Sequence, residues 1–443
     1  MIERALHHAQ AYLASLAERP VGPPVDPAAL RAALGLELAD DGVDPEVVID
    51  ELVAGADPGI VASAGPRYFG FVTGGALPAA LAADWLASAW DQNAHMWVGS
   101  PAASVVEEVV EEWVLSLLGL PADASVGLVT GAQMANVTCL AVARDVVLKR
   151  AGWDVASQGL IGAPPVTVIA GQEAHATIFS ALRMIGLGRD AAHLVAVDGQ
   201  GAIEPDALAR GLRDAGPAIV CAQAGNVNSG AFDPLEPIEY LCEQSGAWLH
   251  VDGAFGLWAA ASPRYRHLMR GLERAHSWAT DAHKWLNVPY DGGLAIVADR
   301  AAHRRAMALS AAYLVAGEQR DNYDYTPEAS RRARGFALYA ALRSLGRRGV
   351  AELVERHCAQ ARRFASLLAD GGAEILNDVV LNQVLVAAPP SAVARIQADG
   401  TCWVGGTVWH GREAIRISVS NWSTTDADVD RSAAAILRAL SAS

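Results

Sequence analysis

The sequence has few cysteines, no excess of basic residues and no long apolar run, and each shortage excludes a class of protein. Its five cysteines are odd in number and lack CxxC spacing, which predicts free thiols in a reducing cytoplasm and no metal site. The net charge of −15 argues against nucleic acid as a partner, because binding to phosphates requires a basic surface.

A membrane-spanning helix needs ~18–20 apolar residues, and the nearest candidate, residues 77–90, is interrupted by Asp84. Charged residues are scattered through residues 1–20, which indicates an amphipathic helix and not a signal peptide. What the chain does have is apolar character, 52% of 443 residues, enough for a globular protein with a full core. We expect a cytoplasmic protein that contacts no membrane.

The pattern divides the chain into three regions. Residues 1–75 read as helices joined by turns rich in proline and glycine, with no sheet of their own, and we expect them to pack on a partner subunit. In residues 76–315 strands alternate with helices, which predicts a mainly parallel sheet covered by helices on both faces. Residues 316–443 carry long helices and then short strands, which predicts a separate α+β lobe.

One helix in the second region has a clear apolar face, and its acidic residues lie on the other face. It spans residues 101–118, where apolar side chains recur every three or four positions. We expect the acidic face to be solvated; its members are Glu107, Glu108, Glu111 and Glu112.

Three reactive side chains come at the ends of predicted strands, where ligands bind in sheets of this kind. His175 follows the strand at 165–170, Asp252 follows the strand at 247–251, and Lys284 follows the strand at 277–280. Lys284 lies in a run with little charge, and loss of hydration favours the neutral, nucleophilic amine. The alternative is a lysine whose stem packs on Trp285 while its head reaches water.

Together these residues suit pyridoxal phosphate (PLP). The turn at residues 130–133, between a strand and a long helix, could cradle a phosphate, although an ordinary tight turn looks the same. Asp252 could keep the pyridine nitrogen protonated, or it could cap a helix. His175 could stack on the ring, or it could be a capping or core histidine. Asp252 precedes Lys284 by 32 residues, which is one crossover between neighbouring strands.

Five segments give the sequence a specific resemblance, which extends from Tyr68 to Asn421. It resembles the group II PLP-dependent amino acid decarboxylases, relatives of the aromatic L-amino acid, tyrosine and glutamate decarboxylases. The matching segments are Gly131-Ala132-Gln133-Met134-Ala135-Asn136, Gly171-Gln172-Glu173-Ala174-His175, Gly230-Ala231-Phe232-Asp233-Pro234-Leu235, His250-Val251-Asp252-Gly253-Ala254-Phe255 and Asp281-Ala282-His283-Lys284-Trp285.

The resemblance implies an α/β fold of the aspartate aminotransferase type (fold type I), PLP as cofactor, and a homodimer with a shared active site. It implies that Lys284 forms the Schiff base and takes part in catalysis, that Asp252 pairs with the pyridinium, and that Ala254 packs on the ring face opposite His175. The residues that it places around the phosphate or the lysine are Ala132, Gln133, Asn228 and His283.

The resemblance also implies a proton donor, a tyrosine on a mobile loop that reaches the other subunit's active site. Residues 316–329 are in the corresponding place, and Tyr323 is closer to this role than Tyr325. Arg416 could hold a substrate carboxylate, but a structural salt bridge is the favoured interpretation. Asp281 departs from the family pattern, since many members have asparagine there.

The predicted function is therefore PLP-dependent decarboxylation of an L-amino acid to its amine and CO2, which makes the protein a carboxy-lyase. Other reactions of the same cofactor remain alternatives: decarboxylation with oxidative deamination to an aldehyde, retro-aldol cleavage, or transamination. A different class of alternative is a PLP-binding structural or regulatory subunit without turnover. The sequence does not identify the amino acid substrate.

Overall fold

The structure of the chain is a computed structural model that describes residues 1–22, 25–35, 37–38, 40–309 and 318–441. The chain divides into two units. The large unit comprises Gly74–Ala359 and Asn377–Gln383, and the small unit comprises Met1–Thr73, Gln360–Leu376 and Val384–Ser443. The first expected boundary, at residue 75, lies close to the change of unit after Thr73. The second, at residue 315, lies outside the described residues, and the large unit continues to Ala359.

Helices account for much of the described chain. In chain order they are α1 (Ile2–Ser15), α2 (Pro27–Leu34), α3 (Pro45–Ala56), α4 (Pro78–Trp90), α5 (Pro101–Leu118), α6 (Ala132–Arg150), α7 (Val155–Gln158), α8 (Ala176–Met184), α9 (Pro205–Gly211), α10 (Leu235–Ser245), α11 (Arg300–Met307), α12 (Gly335–Asp370), α13 (Pro390–Asp399) and α14 (Asp426–Ser441). Gly346 breaks the helical geometry inside α12, with φ of 62°. Within the described residues, no helix is long and apolar enough to cross a membrane.

The large unit is built on a seven-stranded sheet with the order β1-β7-β6-β5-β4-β2-β3. Strands β6, β5, β4, β2 and β3 run parallel to one another, whereas β7 pairs antiparallel with both β1 and β6. The prediction of a mainly parallel sheet is thus confirmed. The strands are β1 (Ser125–Val129), β2 (Thr167–Gly171), β3 (Ala192–Val195), β4 (Ala218–Gln223), β5 (Trp248–Asp252), β6 (Ser277–Asp281) and β7 (Gly293–Val297).

Helix α6 lies across this sheet and forms much of its core. Its apolar face, which includes Cys139, Leu140 and Val147, is buried together with Ala279 and Ala295 of β6 and β7. Each fully buried side chain of leucine or valine size contributes roughly 1.5–3 kcal/mol to folding. This packing fixes the first turn of α6 beside the ends of the strands, where the predicted ligand site lies.

The acidic face of α5 is not solvated throughout, so that prediction is wrong for two of its glutamates. Glu107 is buried and its carboxylate accepts hydrogen bonds from Arg331, at 2.7 and 2.8 Å. Glu111 is buried and pairs with Arg300 and Arg320. Buried carboxylates are tolerated when cations pair with them, and these arginines come from distant parts of the chain that a local pattern does not show.

The small unit combines both ends of the chain. Its three-stranded sheet has the order β8-β10-β9, formed by β8 (Gln383–Ala387), β9 (Gly405–Trp409) and β10 (Arg412–Ser418). Tyr68 stacks on Trp403 with ring centroids 4.9 Å apart, and the Phe69 N–H donates to the Trp403 carbonyl at 2.9 Å. Residues 1–73 therefore belong to the same unit as the C-terminal lobe. Helix α1 itself buries none of its residues.

Candidate active site

A cavity of about 250 Å³ in the large unit brings most of the predicted site residues together. Seven of the predicted residues line it: Ala132, Gln133, His175, Asp252, Ala254, His283 and Lys284. Gly131 also lines it and belongs to the turn predicted to cradle the phosphate, whereas the sequence assigned no role at the site to the other six lining residues, which are Thr177, Gln223, Gly225, Val227, Phe255 and Asp281. Several of these follow the last residues of β4 and β5, so their position after a buried strand was the available signal.

Asp252 is the last residue of β5 and is buried. One carboxylate oxygen, Oδ2, accepts from Asn136 Nδ2 at 3.2 Å, and Oδ1 accepts from the Ala254 N–H at 3.1 Å. Burial raises the pKa of Asp252, while the nearby charges of His175 and Lys284 lower it. A carboxylate in this setting is stabilised by a cationic partner in the cavity.

Behind Asp252 lies a chain of buried hydrogen bonds. His250 Nε2 and the Asn136 side-chain oxygen are 2.8 Å apart, and His250 Nδ1 and Ser277 Oγ are 2.9 Å apart. Trp248 Nε1 donates to the same Ser277 oxygen at 2.9 Å. Burial lowers the pKa of His250 to about 3, so its ring is neutral and carries one proton. The consistent arrangement places that proton on Nε2, which turns the Asn136 amide nitrogen toward Asp252.

Lys284 lies just past β6 and pairs with Asp281, since its Nζ is 2.7 Å from Asp281 Oδ2. His283 Nε2 is 3.3 Å from the other oxygen of Asp281, and His283 Nδ1 accepts the Gly292 N–H at 3.1 Å. The Lys284 side chain is 22% exposed, so its head is neither fully buried nor fully hydrated. The predicted amine therefore faces the cavity with a buried carboxylate beside it.

The turn between β1 and α6 runs alongside these groups. The N–H of Ala132, the first residue of α6, donates to Asp281 Oδ1 at 2.5 Å. A side chain at Gly131 would be crowded, because a Cβ would lie 3.0 Å from His283 Cε1 and 3.2 Å from Asp281 Oδ1. The helix N-terminus thus lies at the cavity, where an anion cradle would be placed, and one of its N–H groups is bonded to Asp281.

His175 has the capping role considered for it, and its stacking on the cofactor ring stays a prediction. It is the N-cap of α8, where its Nδ1 accepts the Thr177 N–H at 3.3 Å, and it also lines the cavity. Because Nδ1 accepts that bond, the neutral ring carries its proton on Nε2. Capping fixes the ring orientation.

Two predicted site residues are not among those that line the cavity, Asn228 and Tyr323. The Asn228 N–H donates to the Asn226 side chain at 2.8 Å, and Val227 lines the cavity instead. Tyr323 is buried in a short 3-10 helix, Asn322–Tyr325, with 5% exposure. Its role as proton donor stays a prediction, and one that requires this helix to leave its packing. The part of the mobile loop predicted at residues 316–317 lies outside the described residues.

Arg416 lies on β10 of the small unit, and burial lowers its pKa. In the described part of the chain it forms no salt bridge with a carboxylate, so the structural ion pair favoured from the sequence is not found there. The substrate role of this residue stays a prediction.

Comparison with known proteins assigns the chain to a family. The model of the pyridoxal-dependent decarboxylase conserved domain matches residues 27–387, and the chain belongs to this family. Tryptophan decarboxylase 1 of Oryza sativa subsp. japonica is 27% identical over 95% of this chain and 89% of its own length. The aromatic-L-amino-acid decarboxylase of Bacillus atrophaeus is 29% identical over 64% of this chain and 58% of its own.

Solved structures match the fold. The crystal structure of Oryza sativa TDC with PLP and tryptamine has a TM-score of 0.91 at 25% identity and covers 99% of this chain and 96% of that one. Mouse CSAD has a TM-score of 0.91 at 23% identity, with 99% and 98% covered. The predicted fold type, cofactor and reaction class are confirmed: the protein is a PLP-dependent carboxy-lyase that converts an L-amino acid to its amine. The aldehyde-forming alternative is not favoured.

The residues in the cavity fit this cofactor. A buried carboxylate at Asp252 matches a protonated ring nitrogen, and the N-terminus of α6, which lines the cavity, matches a phosphate. The amine of Lys284 matches an aldehyde, and Ala254 is small enough to leave room for a flat ring.

Proposed function

We propose that Lys284 attaches the cofactor, that Asp252 holds its ring nitrogen and that His175 and Ala254 face its two sides. The observation that carries this assignment is that Lys284, Asp252 and the first turn of α6 line one cavity. They offer an amine for the aldehyde of PLP, a buried carboxylate for its ring nitrogen and an anion-binding helix end for its phosphate. We place Ala132, Gln133 and His283 around the phosphate and the lysine.

When bound, PLP supplies an electron sink for the electron pair left behind as the substrate carboxylate departs as CO2. The residues of the chain prepare this step. Asp252 keeps a proton on the ring nitrogen, and Asn136 and the Ala254 N–H hold its carboxylate in place. Lys284 would hold the cofactor until the substrate amine replaces it, and Asp281 Oδ2, which lies 2.7 Å from Nζ, would accept a hydrogen bond from the freed amine.

Borohydride trapping can test the attachment residue cleanly, because the chain has only two lysines, Lys149 and Lys284. We expect reduction of the enzyme with PLP to label Lys284 and to fix the cofactor to the chain. Lys284→Ala should lose the label and all CO2 release while keeping a folded structure by circular dichroism. Lys149→Ala is the matched control and should keep both. Full activity in Lys284→Ala would overturn the assignment.

The side-chain class of the substrate is open to direct measurement. A screen of the proteinogenic amino acids for CO2 release, with amine and aldehyde both quantified, identifies the substrate and the product together. We expect amine to be the main product. A protein that binds PLP and releases CO2 from none of them would support the alternative of a structural or regulatory subunit.

We further propose a homodimer in the cytoplasm. Helix α4 exposes Trp85, Leu86 and Trp90, with exposed fractions of 41%, 49% and 50%, and an apolar patch of this kind suits a subunit interface. All five cysteines are buried and unpaired, as in a reducing compartment. Analytical ultracentrifugation should give twice the chain mass, and Trp85→Glu with Trp90→Glu should shift it to the monomer. A monomeric wild type would overturn the dimer.

A further inference from the structure

The carboxylate of Asp281 contacts two groups that the cofactor needs. It ends β6 with a side chain that is 2% exposed. Its Oδ1 accepts the N–H of Ala132, at the start of α6, at 2.5 Å. Its Oδ2 lies 2.7 Å from Nζ of Lys284. The carboxylate of Asp281 therefore bonds one N–H of the helix end and also the amine of Lys284.

This position conflicts with a bound phosphate. A helix N-terminus stabilises an anion through its unpaired N–H groups and its dipole, and here Asp281 already uses one of them. A phosphate in the same turn adds negative charge close to a buried carboxylate, where water screens repulsion poorly. The amine of Lys284 must also leave its contact with Asp281 to reach an aldehyde.

The neighbouring histidine does not remove the conflict. His283 Nδ1 accepts the Gly292 N–H, so in the neutral ring the proton on Nε2 points to Asp281, 3.3 Å away. Burial lowers the pKa of His283, which keeps this ring neutral. His283 thus donates a hydrogen bond to Asp281 and does not balance its charge. Lys284 is the cation in contact with Asp281, and its nitrogen would be the atom that attaches the cofactor.

We propose that Asp281 lowers the affinity of this enzyme for the phosphate of its cofactor. PLP then dissociates and rebinds, and the fraction of active enzyme depends on the PLP concentration. This role of Asp281 rests on the proposed function, in which the cofactor attaches at Lys284 with its phosphate at α6. It makes Asp281 a determinant of cofactor affinity.

The test compares PLP with pyridoxal, which has the aldehyde but no phosphate. Dissociation constants for both are measured on the apoenzyme by absorbance titration. In Asp281→Asn we expect PLP to bind roughly tenfold more tightly, as for the loss of one charge–charge repulsion of about 1.4 kcal/mol. The dissociation constant for pyridoxal should change much less, so the ratio of the two constants reports the effect of Asp281 on the phosphate.

Two further variants make the result decisive. Asp291→Asn removes a carboxylate that acts on His283 and pairs with Arg334. Within the described residues it bonds neither Ala132 nor Lys284, so the variant should leave the ratio unchanged. Asp281→Ser removes the charge with a shorter side chain, and it should shift the ratio in the same direction as Asp281→Asn. Circular dichroism confirms that each variant is folded.

The outcomes separate this role from the proposed function. Weaker or unchanged PLP binding in both Asp281 variants overturns the competition with phosphate. An equal gain in affinity for pyridoxal also overturns the competition with phosphate, because Asp281 then acts through Lys284 alone. A wild type that does not attach PLP at Lys284 overturns the proposed function itself.

Discussion

Asn136 is the residue on which the orientation of Asp252 depends. It is fully buried in α6, and its amide connects the neutral ring of His250 to the Asp252 carboxylate. A buried amide with a partner on each side has one favoured direction, since turning it over would place like groups together. Asn136 belongs to a segment that resembles the decarboxylase family, but this role follows from the three-dimensional contacts.

We expect Asn136→Ala to weaken PLP binding roughly tenfold and to destabilise the apoenzyme by about 1–3 kcal/mol, because two buried polar groups lose a partner. Ser277→Ala is the matched control, since Ser277 bonds His250 but does not touch Asp252. It should lower thermal stability while leaving the PLP dissociation constant near the wild-type value. Equal loss of PLP affinity in both variants would show that the effect is structural. Absorbance titration and thermal unfolding measure the two quantities.

Among the elements, buried strands and the helices between them were the most predictable. The expected helix at residues 101–118 coincides with α5, and the expected strand at 277–280 lies within β6. Their ends are marked by turn residues, so a local pattern is sufficient. The meeting of Lys284 and Asp252 in one cavity was also predictable, because adjacent parallel strands end at one edge of a sheet.

What the sequence did not reveal depends on partners that are distant along the chain. The antiparallel pairing of β7 with β1 brings together residues that are more than 160 positions apart. The burial of Glu107 requires Arg331, and the contact of Asp281 with Ala132 requires the turn before α6. Such pairings leave no periodic signal, and only folding shows which charge meets which.

The short helix Asn322–Tyr325 is held in place from several sides. The Tyr323 N–H donates to the His95 carbonyl at 3.1 Å, and Arg320 bonds the Val126 carbonyl at 2.6 Å and Glu111 at 2.6 Å. These buried, charge-assisted bonds oppose movement of the helix. They argue against Tyr323 as a donor carried by a mobile loop.

We therefore expect Tyr323→Phe to keep amine as its main product. The comparison needs Tyr325→Phe and also Tyr313→Phe, since Tyr313 is the third tyrosine of this stretch and lies outside the described residues. Product analysis by chromatography measures amine and aldehyde for each variant. Diversion to aldehyde, or a large loss of amine, in Tyr323→Phe alone would establish the role predicted from the sequence.

For the whole molecule, buried histidines couple stability to pH. Burial lowers the pKa of His250 and of His303 to about 3, and that of His276 to about 4. In the unfolded chain the pKa of these groups is ~6.5. Below that pH the unfolded state therefore binds protons that the folded state does not bind. The stability that these histidines contribute is fully present above pH ~6.5 and is lost as the pH falls below that value toward their folded-state pKa. Asp233 acts in the opposite direction, because burial raises its pKa to about 7.

His303 allows one of these contributions to be isolated. It is fully buried in α11, bonds Ser125 through Nδ1 at 2.9 Å, and faces the charges of Arg300 and Arg320, which lower its pKa further. His303→Gln should destabilise the protein at pH 7. At pH 5 the wild type also loses stability, because its unfolded state binds a proton at His303, and the variant does not have this loss. Between these two pH values the gap in unfolding free energy between wild type and variant should shrink by about 2 kcal/mol. Thermal unfolding of the two apoenzymes in parallel measures the gap, and a gap that stays constant or widens toward pH 5 would mean that His303 takes up a proton in the folded state.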